Sequence, residues 1–362
     1  MSKLVLAILL ISFSYASLAK KNIVFANNKT KYQANKFYAI NKRESLQIFS
    51  PKNQDNIKPL IQKNDCRKKI KTILCLVDKA KPEQGSNERE CLPGGEIYAS
   101  HFESLFDNYP KPLQKIFCSL NIIYIEKQFF GTAYAGTVVD NNGNLDGAMM
   151  GIRKSVLDEN LHLTQWASWK EQLSFGGKKN DYQVSSDLPL ISTTTTKKVN
   201  DFLYFLVAHE FGHIFDFSNN LNEFINCGAD SADKCDHPKP GSWSELSWAS
   251  SKVALGKDDF YQRVGLCFYG CQDTFILQED ISQLYSELYS STFISTYAAT
   301  NPWDDFAESL AYIAMEKYLK PRYMIAYDGE TFDVMAKLRR ANFSDKYTFI
   351  DDFLKRSDII YP

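Results

Sequence analysis

Between Val199 and Phe217 the chain runs Val-Asn-Asp-Phe-Leu-Tyr-Phe-Leu-Val-Ala-His-Glu-Phe-Gly-His-Ile-Phe-Asp-Phe, apolar on nearly every side of a helical wheel. A helix of that kind has to sit in the centre of a domain, with other elements wrapped around it. It also carries two imidazoles and a carboxylate inside, and buried polar groups need partners. Ser192 and Thr193 to Thr196 offer N-caps upstream, and Ser218-Asn219-Asn220 offers a stop.

The polar residues in this run are spaced with chemical consequence. His209 and His213 stand four residues apart, so a helix puts both rings on one face where they can reach a single metal ion, while Glu210 projects from a neighbouring direction. His209-Glu210-Phe211-Gly212-His213 is the HExxH pattern of zinc hydrolases. One catalytic Zn2+ held there would lower the pKa of a bound water from near 16 to roughly 7, and Glu210 could take its proton. The competing reading is a pair of core histidines with satisfied hydrogen bonds.

A catalytic zinc needs a third protein ligand and an open position. The pattern HExxHxxGxxH would put glycine at 216 and histidine at 219, where this chain has Asp216 and Asn219, so the three-histidine form is excluded. Asn301-Pro302-Trp303-Asp304-Asp305-Phe306-Ala307-Glu308 offers an acid instead. Asn301 suits an N-cap and Pro302 a first helical turn. Asp304 and Glu308 then share a face, so that one carboxylate can ligate the metal while the other orients an imidazole. Spacing alone does not choose between Asp304 and Glu308 as the ligand. Read without the histidines, Asp304 and Asp305 would merely complement a helix N-terminus. His237, between Asp236 and Pro238, is a reserve nitrogen donor.

On these residues the chain resembles the gluzincin metallopeptidases of the zincin class, especially the group that includes the anthrax lethal factor catalytic domain. The matching positions are His209-Glu210-Phe211-Gly212-His213, Asp216, Tyr297 and the Asp304-Asp305-Phe306-Ala307-Glu308 helix. The resemblance implies that Asp304 ligates zinc, Glu308 supports a ligand histidine and Tyr297 stabilises the oxyanion. The group has glutamate where this chain has Asp304, one methylene shorter, so the second helix must approach more closely or Glu308 must ligate. The resemblance also implies an α+β zincin-like fold: a small mixed sheet leading into the active-site helix, then a mainly helical second half. One strand of such a fold borders the cleft and pairs with extended substrate, a role that falls by analogy on Ala148 to Arg153.

Met1-Ser2-Lys3, the apolar stretch from Leu4 to Phe13 and the small residues up to Ala19 read as a signal peptide, residues 1–19. The mature protein is then expected to be secreted or periplasmic, the competing reading being an uncleaved anchor. No later run of ~20 apolar residues predicts membrane insertion. All eight cysteines follow this segment, which in an exported chain argues for disulfides, although eight allow about a hundred pairings. Local bridges Cys227–Cys235 and Cys267–Cys271 are favoured over a second zinc site. With 42 basic and 43 acidic residues, no basic field points to nucleic acid.

Residues 20–65 read as a loosely ordered leader, 66–225 as the subdomain carrying the sheet and the HExxH helix, and 226–362 as a helical subdomain carrying the third ligand. Pro110 to Leu120 reads as helix and Asn121 to Ile125 as a buried strand. Ala133 to Val139 and Ala148 to Arg153 flank an Asn-Gly turn and read as a hairpin. Leu161 to Phe175, with Trp166 and Trp169, is ambiguous, a further extended element being one reading. Later helices are expected over 274–290, 301–319 and 331–340, and Trp243 and Trp248 are expected to cover the core. Together these observations predict a zinc endopeptidase acting on protein or peptide substrate. A catalytically silent zinc-binding domain engaged in partner binding and a cell-wall peptide or amide hydrolase are the alternatives.

Overall fold

Within the run Leu120–Glu126 side chains alternate from Ile122 onward, past an irregularity after Leu120: Ile123 and Ile125 enter the main core, while Ile122 and Tyr124 enter a second cluster with Cys75, Val77, Val138 and Met149. A strand covered on both faces reads as a continuous apolar run, which is why it is visible in the sequence. The computed structural model describes residues 39–41, 66–78, 91–129, 131–139, 144–178, 182–225, 236–269 and 276–362. The expected signal segment, most of the leader, and Cys227, Cys235 and Cys271 of the two favoured local bridges lie outside them.

The protein is mixed α+β. Strands β1 (Ala39–Asn41), β2 (Leu74–Val77), β3 (Leu120–Glu126), β4 (Ala133–Val139) and β5 (Leu145–Arg153) form one sheet in the order β1-β4-β5-β3-β2. β3 runs parallel to β2 and β5, and β4 and β5 are the expected antiparallel hairpin. A second sheet has the order β10-β9-β6, from β6 (Leu190–Thr194), β9 (Arg322–Tyr327) and β10 (Glu330–Asp333), and β7 (Phe224–Ile225) pairs with β8 (Asp236–Pro238). The main helices are α1 (Ala99–Asn108), α2 (Lys111–Ser119), α3 (Leu163–Gln172), α4 (Asp201–Asn219), α5 (Ile281–Ser290), α6 (Pro302–Tyr318) and α7 (Ser344–Lys355). None of the described helices is long and apolar enough to cross a membrane.

α4 is buried along almost its whole length, and one continuous apolar cluster extends around it from Ile70 to Ile359. That core runs through the expected subdomain boundary near residue 225. Two disulfides brace the sheet side. Cys66–Cys118 ties the turn before β2 to the end of α2, and Cys75–Cys91 closes a 16-residue separation from β2. A loop of that size is worth about 3 kcal/mol through restriction of the unfolded chain.

Several expectations are corrected. The ambiguous stretch Leu161 to Phe175 is helical from Leu163 onward, not an extended element: α3 lays Trp166 against Phe202 and Phe205 at ring separations of 4.8 and 5.8 Å. The tryptophans favour strands only where they find a pleated surface, and here helix packing overrides that preference. The cap of α4 is Asn200, whose Oδ1 accepts from the Leu203 amide at 2.9 Å. Ser192 to Thr194 belong instead to β6. Within 331–340 only Val334–Lys337 is helical, because Asp328 and Gly329 both adopt positive φ and turn the chain back through a two-residue hairpin from β9 into β10. In the stretch expected to be helical over 274–290, α5 itself begins at Ile281.

Candidate metal centre

The site is built where α6 crosses α4. One helical turn separates His209 from His213, and their Nε2 atoms lie 3.2 Å apart. On α6 the first turn is fixed by its cap. Asn301 Oδ1 accepts from the amides of Trp303 and Asp304, and Asn301 Nδ2 donates to Asp304 Oδ2 at 2.6 Å. With one carboxylate oxygen held by the cap, the other is aimed: Asp304 Oδ1 lies 3.4 Å from Nε2 of both His209 and His213.

Glu308, one turn further, does not share that position. Its Oε1 lies 3.3 Å from His209 Nδ1, on the opposite edge of the ring, and 3.3 Å from Lys170 Nζ, while Ser295 Oγ donates to Oε2 at 2.7 Å. Of the two acids, Asp304 therefore meets the shared face of the imidazoles and Glu308 backs one of them. A carboxylate on the far ring nitrogen fixes a metal-binding histidine's tautomer and orientation.

These donors fit a metal ion. One atom from each of His209, His213 and Asp304 lies within 4.8 Å of the others. Two imidazole Nε2 atoms turned toward each other at 3.2 Å repel unless a proton or cation lies between them. Two nitrogens and one carboxylate oxygen form a three-ligand set that zinc accepts, with a further position open for water or substrate. His209, His213 and Asp304 line a cleft of about 600 Å³ together with Glu210, Tyr297 and Trp303 among others.

The electrostatics follow the geometry. Burial opposes charge on His209, but its contacts with Asp304 and Glu308 override this and raise it to about 9. Burial likewise opposes ionisation of Asp304, yet the two imidazoles hold it well below the usual carboxylate range. Glu210 is 3% exposed, and burial raises its pKa against the pull of His209 and His213, making it a stronger base than an exposed glutamate. Its Oε2 is buried with no hydrogen-bond partner among the described residues. The Tyr297 hydroxyl is pushed well above its ordinary value, first by burial and then by Asp304, so it stays protonated and can donate. Its ring is held by Phe268 at 4.9 Å and lies 5.9 Å from the His209 ring.

One placement differs from expectation, and the reserve donor His237 stays out of the site. Ala148 to Arg153 does not border the cleft: β5 is the central strand, hydrogen-bonded on both sides, and β4 lines the cleft with Ala133, Tyr134 and Ala135. β1 joins β4 only at Thr137 to Val139, beyond that stretch. His237 is exposed on β8 and stands outside the His209, His213 and Asp304 group.

Lys170 was not legible as a site residue. It is 7% exposed, lies against Glu308, and sits 3.4 Å from the Tyr297 ring centroid, joining the carboxylate behind His209 to the tyrosine in the cleft. Its only sequence signal is a lysine amid tryptophans, which would have mattered had α3 been read as a helix. Asp216, at the end of α4, accepts from the Asn222 amide and side chain at 2.8 and 2.7 Å, and burial raises its pKa to about 6. It organises the turn that leaves the helix.

No known protein family matches this chain, nor does any curated protein or solved structure.

Proposed function

We propose that the chain is an exported zinc metallopeptidase of zincin type, with a gluzincin-like ligand set of His209, His213 and Asp304. The observation that carries the reading is the convergence of Asp304 Oδ1 on both Nε2 atoms in a cleft also lined by Glu210, whose buried Oε2 has no hydrogen-bond partner among the described residues. A bound zinc would supply Lewis acidity toward a substrate carbonyl and make the attacking water more acidic.

The protein's own groups do the rest. Glu210 takes a proton from the attacking water, its basicity raised by burial. Tyr297 donates to the oxygen on which negative charge develops, as an oxyanion donor does. Glu308 holds His209 in one tautomer, and Lys170 balances the charge of Glu308. β4 offers an extended backbone beside the cleft to which a peptide can add as a strand.

A non-catalytic zinc domain has no use for a buried base, and structural zinc ordinarily closes its fourth position with a protein ligand. Replacing Glu210 with Gln is expected to retain the metal and to cut peptide hydrolysis roughly 10²–10⁴-fold. Full activity in that variant would refute the mechanism, and zinc binding without turnover of any peptide in a broad library would favour the silent domain.

A further inference from the structure

α4 and α6 meet with almost no room between them at one point. A Cβ placed on Gly212 would lie 2.6 Å from Ala307 Cα and 3.1 Å from Ala307 Cβ, closer than side-chain carbons come to backbone. Gly212 precedes His213 and follows His209 by three residues. Ala307 follows Asp304 by three and precedes Glu308. This tight contact therefore lies among the four residues of the cluster.

We propose that the Gly212–Ala307 crossing is a positioning device. It sets the helix separation at which the short side chain of Asp304 reaches both imidazoles, and it leaves Glu308 on the far edge of His209. The inference rests on the reading of this cluster as a metal centre. Asp304 cannot stretch to follow a displaced helix, because its amide and its second oxygen are both tied into the Asn301 cap. Any outward movement of α6 is passed directly to Oδ1. A methyl group at 212 has to move from 2.6 Å to the 3.4–4 Å of ordinary contact, a separation of about 1 Å. One added carbon–carbon bond, about 1.5 Å, is enough to span that.

The test is zinc affinity, measured by competition with a chromogenic chelator, in Gly212→Ala, in Asp304→Glu and in the double variant. Gly212 is in the interior of a helix, where alanine is favoured over glycine on propensity alone, so a loss of affinity reports the crossing. Gly212→Ala is expected to weaken zinc binding at least tenfold, and adding Asp304→Glu to it is expected to recover at least fivefold. Gly256→Ala, at a position with no atoms nearby, should leave affinity unchanged. Where Gly212→Ala does not fold, Ala307→Ser crowds the same crossing more gently, with the same loss and the same rescue expected. Native-like affinity in the folded crowded variant, or a double variant that binds no better than the single one, overturns the proposal while leaving the metal centre intact. Absence of zinc binding by the native protein overturns both.

Discussion

Asp304 and Asp305 are neighbours in sequence, on one helical turn, and the fold gives them opposite fates. Asp305 is fully buried and fully satisfied: Lys346 Nζ lies 2.7 and 2.6 Å from its two oxygens, and the indoles of Trp243 and Trp248 each donate to Oδ2 at 3.1 Å. Asp304 has one oxygen held by Asn301 and the other turned toward two imidazoles across a cleft. The comparison teaches that a buried acid becomes structural when its partners are complete and chemical when a place beside it is left for something else. Here the two roles depend on one another, since the Lys346–Asp305 pair anchors the same turn of α6 that presents Asp304.

The largest effect should come from breaking the closed side. Asp305→Ala leaves the Lys346 ammonium buried without its counter-charge, and is expected to cost about 3–5 kcal/mol in chemical denaturation of the zinc-loaded protein. A loss below about 1 kcal/mol would mean that Asp305 is not the keystone drawn here.

A smaller effect, carried by His209, probes the open side by pH. In protein stripped of metal by chelator, His209 has its pKa raised to about 9. A raised folded-state pKa contributes stability that is complete below the unfolded value, near 6.5, and is lost as pH rises through about 9. Stripped protein should therefore lose on the order of 1–3 kcal/mol between pH 6 and pH 9.5. Zinc competes with that same proton, so zinc affinity should strengthen over the same interval. Thermal melts of stripped and loaded protein across this range check both signs, and parallel pH profiles would contradict the assignment of His209 to the open side.

What could be read in the sequence was what chain-local periodicity carries. The apolar run into HEFGH, the hairpin of β4 and β5, the strand Leu120–Glu126 and the capped acidic helix all announce themselves within a dozen residues. Spacing puts Asp304 and Glu308 on one helical face without choosing between them; the structure sets Asp304 Oδ1 3.4 Å from both Nε2 atoms and Glu308 Oε1 3.3 Å from His209 Nδ1. Lys170 and the Trp243–Asp305–Lys346 network depend on contacts between distant segments, and no local pattern encodes them. The cleft strand was misplaced for a related reason. Both strands are apolar enough to sit inside a sheet, and only distant pairing decides the cleft side: β3 covers the outer edge of β5, while β1 covers β4 only at Thr137 to Val139. Leu163–Gln172 was obscured because from Trp166 onward every residue is buried, so neither a helical nor a strand face stands out.

The central claim is that Asp304, not Glu308, completes a metal centre with His209 and His213. Zinc stoichiometry by elemental analysis, on native protein and on Asp304→Ala and Glu308→Ala purified in parallel, tests it most directly. The account predicts close to one zinc per native chain, near-complete loss in Asp304→Ala, and retention in Glu308→Ala with affinity weakened roughly 10–100-fold, as loss of an orienting partner requires. Zinc retained by Asp304→Ala and lost from Glu308→Ala would contradict it.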